Sequence, residues 1–286
     1  FQAAGEEVVA AHHYANALFN VLRGGVFADQ YSVTAADFAR SVLHFNRRVH
    51  ERHQGLLAAL DATLPREELL AKARQAGDPQ LERLCLEYLP ITFGRRHGDP
   101  SRPWNRFSIR VRDESGDRSL FYEGNWRDIF QNWEALALSF PGFVEGIIAK
   151  FVNASTVDGY NPYRITKEGI DWEVDDPKDP WSHIGYWGDH QIIYLLKLLE
   201  LSRQFHPKGL GELLHLPVFT YANVPYRLRG FEDAVRDPKR TVDFDRTLAA
   251  RIDERVAAIG ADGKLVLDAE GNAYLVNLLE KLLVPL

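Results

Sequence analysis

Helical periodicity dominates the chain. Val8, Val9, His12, Tyr14, Leu18, Val21 and Leu22 recur at roughly helical spacing across residues 5–22, and Gly24-Gly25 ends the run. Thr34 followed by Asp37 has the spacing of a capping box. Behind it, Phe38, Val42, Phe45 and Val49 trace the buried face of a longer helix reaching about Leu60. Pro65 and Pro79 stand at favoured first-turn positions of two shorter helices ending near Gln75 and Leu89. Further on, Asn125 has the position of an N-cap, with Asp128 at the third helical residue and Ile129, Phe130, Trp133, Leu136 and Leu138 behind it. Pro141 opens another helix to about Asn153, and helices are expected again over 189–205 and 244–259.

Period two is confined to the connections. Ser108 to Arg112 alternates, a Glu114-Ser115-Gly116-Asp117 turn follows, and Ser119 to Tyr122 completes a predicted hairpin; Lys264 to Asp268 with Ala273 to Val276 forms a second. From Ala154 to Gly188 the chain is rich in Gly, Pro, Asp and Tyr and reads as one long loop, a feature more often functional than incidental. The expectation is one all-α domain over residues 1–286, an (α/α) toroid or part of one, with β-hairpin insertions at 105–123 and 263–276.

Composition narrows the classes of function. With 45% hydrophobic residues the chain can bury a sizeable core, and no run of about 18 apolar residues exists to span a bilayer. A formal charge of -6 recruits neither nucleic acid nor an anionic membrane. The single Cys85 lies in an apolar helical stretch and reads as a packing residue, which with the lack of a signal-peptide pattern points to the cytoplasm. The chain opens on Phe1, contains no Met and closes within an apolar run, so it is expected to be a piece of a longer parent chain.

All six tryptophans fall between Trp104 and Trp187, in the densest polar and aromatic stretch. Carboxylates, amides, Arg and indole rings suit a pyranose, which offers hydroxyls at its edge and C–H groups on its face. On the helix after Asn125, Arg127 with Gln131 and Asp128 with Asn132 are four apart and share one patch over the first turns, where unpaired N–H groups also point outward. An intrahelical Arg/Asp network is the alternative. In the loop, Tyr160, Tyr163 and Trp172 have the character of stacking platforms, and Asp171 and Glu173 of an acid or base; solvated surface acids are the alternative. His183, Asp189 and His190 match no zinc spacing, so no metal is expected; Asp189 reads as a cap. The basic stretch Arg95, Arg96, His97, Arg102, Arg106, Arg110 and Arg112 has the chemistry to hold phosphate, or is a solvated face.

An Arg-Asp-x-x-Gln helix start, a long aromatic loop and a helix opening Gly-Asp-His-Gln resemble the cellobiose phosphorylase type of inverting carbohydrate enzyme. Trp104-Asn105-Arg106-Phe107, Asn125 to Trp133, Asp158 to Arg164 and Trp181 to His190 look closer still to large bacterial proteins related to those phosphorylases. The resemblance implies a toroid of helical hairpins in which Trp126, Arg127, Asp128, Gln131, Tyr160, Tyr163 and Trp172 line the sugar site, with Trp187 and His190 closing it. It implies an oligosaccharide or glycosyl phosphate as partner, no cofactor, and inorganic phosphate as possible co-substrate. Such phosphorylases carry their general acid in a Trp-Asn-Asp motif that this chain lacks, and Asn132 stands where Asp is usual. Either the acid lies beyond Leu286, with Glu173 the candidate carboxylate within this chain, or the protein binds sugar without cutting it.

Overall fold

The computed structural model describes residues 25–93, 110–159, 161–174, 191–238 and 240–284, with positions 7, 8, 10–12, 14, 15, 18, 96, 97 and 178 beside them. The described positions of the first expected helix are helical. The helix expected from Thr34 to Leu60 is three helices, Ala35–Phe45, Arg47–Arg52 and Gln54–Ala58. The first break falls at Asn46, whose backbone is extended and whose side-chain oxygen accepts from the Val49 N–H at 3.1 Å. Asparagine competes for backbone groups in this way, and apolar periodicity runs through the break without registering it. Thr34 makes no side-chain cap bond; it ends the strand Ser32–Thr34, paired antiparallel with Thr63–Pro65.

A second antiparallel pair, Val26–Phe27 with Ile91–Thr92, joins the two ends of this segment. Helices Arg66–Gln75 and Pro79–Leu86 complete a module with its own core of Val33, Phe38, Val42, Leu64, Leu69 and Leu81. Cys85 is part of that core, and burial pushes its thiol up to about 12, which leaves it a packing residue.

Helices Trp126–Ser139, Val144–Asn153 and Gln191–Phe205 pack on one another around a second core that includes Phe130, Trp133, Phe143, Ile147, Phe151 and Leu198. Beyond them come the paired strands Tyr226–Leu228 and Val242–Phe244, helix Arg246–Ile259 and helix Leu278–Leu283. No helix among the described residues is long and apolar enough to cross a membrane.

The expected all-α toroid is not what forms. Among the described residues, four small sheets lie among the helices, three of two strands and one of four in the order Arg96–His97, Glu123–Asn125, Arg164–Thr166, Gly169–Asp171, and the fold is mixed α/β. Two of the strands, Arg164–Thr166 and Gly169–Asp171, fall inside the stretch read as a long loop. At three residues each they are too short for alternation to stand out, and the pairing of Arg164–Thr166 with Glu123–Asn125 is non-local. Where the first hairpin was expected, an Arg112↔Arg118 bridge closes the turn, and the Phe121 N–H turns away to the Ile91 carbonyl at 2.9 Å. Around 265–276 the bridges are Leu267↔Ala273, Ala222↔Leu265 and Phe219↔Val276.

A buried polar cluster joins the N-terminal module to the rest. Arg83, 1% exposed, reaches Asp262 Oδ2 at 2.5 Å and Glu87 at 3.4 Å, while Asn46 Nδ2 donates to the same Asp262 oxygen at 2.8 Å. Glu87 also accepts from Asn153 at 2.7 Å and lies 3.5 Å from Lys150. Burial works against the Arg83 charge, and the charges of Asp262 and Glu87 with their hydrogen bonds more than offset it. Burial raises the pKa of Asp262, and the Arg83 charge with the Asn46 and Arg83 bonds pulls it back; with two donors on Oδ2, the carboxylate is the form the pair fits. Nearby, Asp37 accepts from Tyr88 at 2.5 Å and from Lys167 at 3.0 Å. Gly260 permits the close approach: its φ is 105°, and a Cβ there would stand 2.4 Å from the His44 carbonyl oxygen.

Two stability measurements check this account. Asp262→Ala leaves the buried Arg83 guanidinium with only its longer contact to Glu87 and is expected to cost about 3–5 kcal/mol in urea unfolding. Lys281 is buried with Nζ 3.1 Å from Ser155 Oγ and 3.7 Å from the Tyr221 ring centroid, and burial pulls its pKa from 10.5 down to about 7. The unfolded chain therefore holds an extra proton between about pH 7 and 10.5, so this group makes stability rise with pH across that window. Lys281→Met is expected to raise the unfolding midpoint at pH 7 and flatten that rise; an unchanged slope would contradict it.

Candidate functional site

The four-stranded sheet sorts its side chains by period two. In register, Asn125 pairs with Arg164 and Arg164 with Asp171, while Glu123 pairs with Thr166 and Thr166 with Gly169. Glu123, Asn125, Arg164, Thr166 and Asp171 consequently share one face. The alternate positions Gly124, Ile165 and Ile170 face the core, where Ile165 is buried and Ile170 packs against the cluster. One narrow sheet thus anchors itself by its apolar face and presents a polar one.

Arg164 organises that polar face. Its two terminal nitrogens reach Glu123 Oε1 at 3.2 Å and Asp171 Oδ2 at 2.7 Å, on the strands to either side. From the turn after helix Arg246–Ile259, Lys264 Nζ donates to the Ile170 carbonyl at 2.7 Å, lies 3.9 Å from Asp171 Oδ1 and stands 5.1 Å from the Trp172 ring centroid. Trp172 is half-buried. Glu173 follows it, and its backbone carbonyl accepts from the Tyr226 hydroxyl at 2.8 Å.

The helix start joins the same face. Trp126 N–H donates to the Tyr163 carbonyl at 3.0 Å, extending the strand pairing by one residue into the helix. The Asn125 side chain does not cap; its Nδ2 donates to Asp128 Oδ2 at 3.4 Å. Asn132, buried, donates back to the Asp128 carbonyl at 3.0 Å. Asp128 is held beside the Asn125–Arg164–Asp171 row by these contacts.

The expected site residues divide into three groups. Asp128, Tyr163, Trp172 and Glu173 lie at or next to the polar face, and Gln131 is exposed on the helix. Trp126 is not a lining residue: it is 3% exposed, its ring 4.3 Å from that of Phe151 and its indole N–H directed to the Phe151 carbonyl. Helical spacing explains this, since Trp126, Phe130, Trp133 and Ala137 form one stripe facing the core. Tyr160, Trp187 and His190, the side chain of Arg127 and the Trp104–Phe107 motif lie outside the described residues. Glu123 and Lys264 carry no mark in the sequence that sets them apart, and the three-residue Arg164-Ile165-Thr166 alternation is too short to single out Arg164.

The arrangement favours hydroxyl recognition. A guanidinium shared between two carboxylates fixes the orientation of their acceptor oxygens. A half-exposed indole beside them supplies a flat apolar surface.

Comparison with known proteins adds one positive finding. Residues 27–90 match the sequence family described as glycoside hydrolase family 149 insertion domain 1. Those bounds nearly coincide with the module closed by the Val26–Phe27 and Ile91–Thr92 strands. The similarity covers less than a quarter of the chain. No curated protein matches the chain.

The two tryptophans separate core from site experimentally. Trp126→Ala is expected to cost about 3–5 kcal/mol of stability, as large-to-small core changes do. Trp172→Ala is expected to leave the unfolding midpoint nearly unchanged; equal losses in calorimetry would refute the division.

Proposed function

We propose that the chain is part of a carbohydrate-active enzyme that cleaves or forms glycosides with inversion, by phosphorolysis or hydrolysis. The polar sheet face around Arg164 is the sugar-contacting surface in this reading. The observation that carries it is the Glu123–Arg164–Asp171 bridge beside the half-exposed Trp172. The glycoside hydrolase-family module, linked to this region by the Arg83–Asp262 cluster, supports it. The partner is an oligosaccharide or glycosyl phosphate, with inorganic phosphate as co-substrate for phosphorolysis. Asp128 and Tyr163 border the sugar, and Glu173 is the carboxylate closest in sequence to the platform without a place in the Arg164 bridge. The buried Cys85 is compatible with a cytoplasmic setting.

A non-catalytic role in carbohydrate binding is the second reading. It is favoured by the engagement of both sheet carboxylates by Arg164, which holds their oxygens in place as fixed hydrogen-bond acceptors.

Titration calorimetry with an oligosaccharide and glycosyl phosphate panel, paired with assays of phosphate release and consumption, separates the readings. Under both, Trp172→Ala and Arg164→Ala weaken sugar binding about tenfold or more, the scale of a central contact residue. Turnover supports the enzyme; binding without turnover supports the second reading. No binding to any sugar, or binding unaffected by both substitutions, sinks the proposed surface.

A further inference from the structure

The Arg83–Asp262 cluster borders a cavity of about 30 Å³, lined in part by Arg83, Glu87, Lys150, Asn153, Thr220 and Asp262. Three of these residues, each at most 1% exposed, present a buried polar atom without a hydrogen-bond partner: Arg83 Nε, Thr220 Oγ1 and Asp262 Oδ1. Their other atoms are engaged. Arg83 Nη2 and Asn46 Nδ2 both bond Asp262 Oδ2, and the Thr220 N–H donates to Asn153 Oδ1 at 3.0 Å. An unsatisfied buried polar atom costs about 1–3 kcal/mol, so three around one cavity point to an occupant.

We propose that this cavity is an internal hydration site, in which ordered water bridges Arg83 of the N-terminal module to Thr220 and Asp262. The size fits, since one water needs roughly 10–15 Å³ of such space. The donor and acceptor pattern selects water over an ion. Arg83 Nε can only donate and the Asp262 carboxylate oxygen can only accept, while the Thr220 hydroxyl does either. A metal or ammonium ion cannot accept from Arg83 and would stand beside the Arg83 and Lys150 charges. A halide would face the Asp262 carboxylate. Water accepts from one, donates to the other and takes the hydroxyl in either sense, so all three atoms are satisfied together. The water then belongs to the joint between module and body, and this assignment does not depend on the proposed sugar chemistry.

The test is a crystal structure of the chain at high resolution, grown once with bromide and once with rubidium salts. The expected result is water density within hydrogen-bond distance of Thr220 Oγ1, Asp262 Oδ1 and Arg83 Nε, without an anomalous peak in either crystal. A bromide or rubidium peak there overturns the assignment, as does a cavity without density or one closed by direct bonding of the three atoms. Thr220→Val keeps the side-chain shape and removes one partner. It is expected to lose or displace this water and lower the unfolding midpoint, with Thr220→Ser restoring both. A valine variant that keeps the water in place and the midpoint unchanged excludes Thr220 as a ligand and overturns the proposal.

Discussion

The Arg83–Asp262 pair is the constraint on which the arrangement depends. Both groups are 1% exposed, so each charge is held out of water and depends on the other, with Glu87 and Asn46 as further partners. Arg83 comes from helix Pro79–Leu86 of the N-terminal module and Asp262 from the turn after helix Arg246–Ile259. Asn46 adds a donor from a helix break, and Glu87 carries the network to Lys150 and Asn153 on the central helix. Apolar contacts alone would let these parts slide. Directional bonds among buried charges admit one arrangement, and that arrangement sets where residues 164–173 lie relative to Lys264.

The candidate site inherits that placement. Lys264 follows Asp262 by two residues, and its ammonium lies over Trp172 and near Asp171. The module matching a glycoside hydrolase insertion domain is therefore connected to the polar sheet face through Asp262 and Lys264, two residues apart, although no module residue belongs to that face. Sheet and helix start meet at Asn125, which pairs with Arg164 as the last strand residue and precedes the first helical turn. This is how carboxylates distant in the chain come to border one surface.

Much of the site was legible because it rests on local spacing. The helix beginning at Trp126, Asp128 at its third position and the position of Asn132 one turn on follow from helical periodicity. The same periodicity places Trp126 with Phe130 and Trp133, so counting tryptophans as binding residues overrode a signal that pointed to the core. Glu123 and Lys264 were invisible for a different reason. Their significance lies in Arg164 and Trp172, which reach them only through strand register and the packing of a distant turn.

By itself the sequence determined the helices, the break of pattern at Pro90, the inert character of Cys85 and the polar, aromatic make-up of the 125–173 region. These depend on neighbours within a few positions, where propensity and periodicity act. Only the tertiary structure decided that the connections pair into small sheets, that a helix breaks at Asn46, whose side chain donates to Asp262, and that Trp126 is core while Trp172 stays half-buried. Those outcomes are set by non-local hydrogen bonding and by the need of buried charges for partners. Neither leaves a period in the chain.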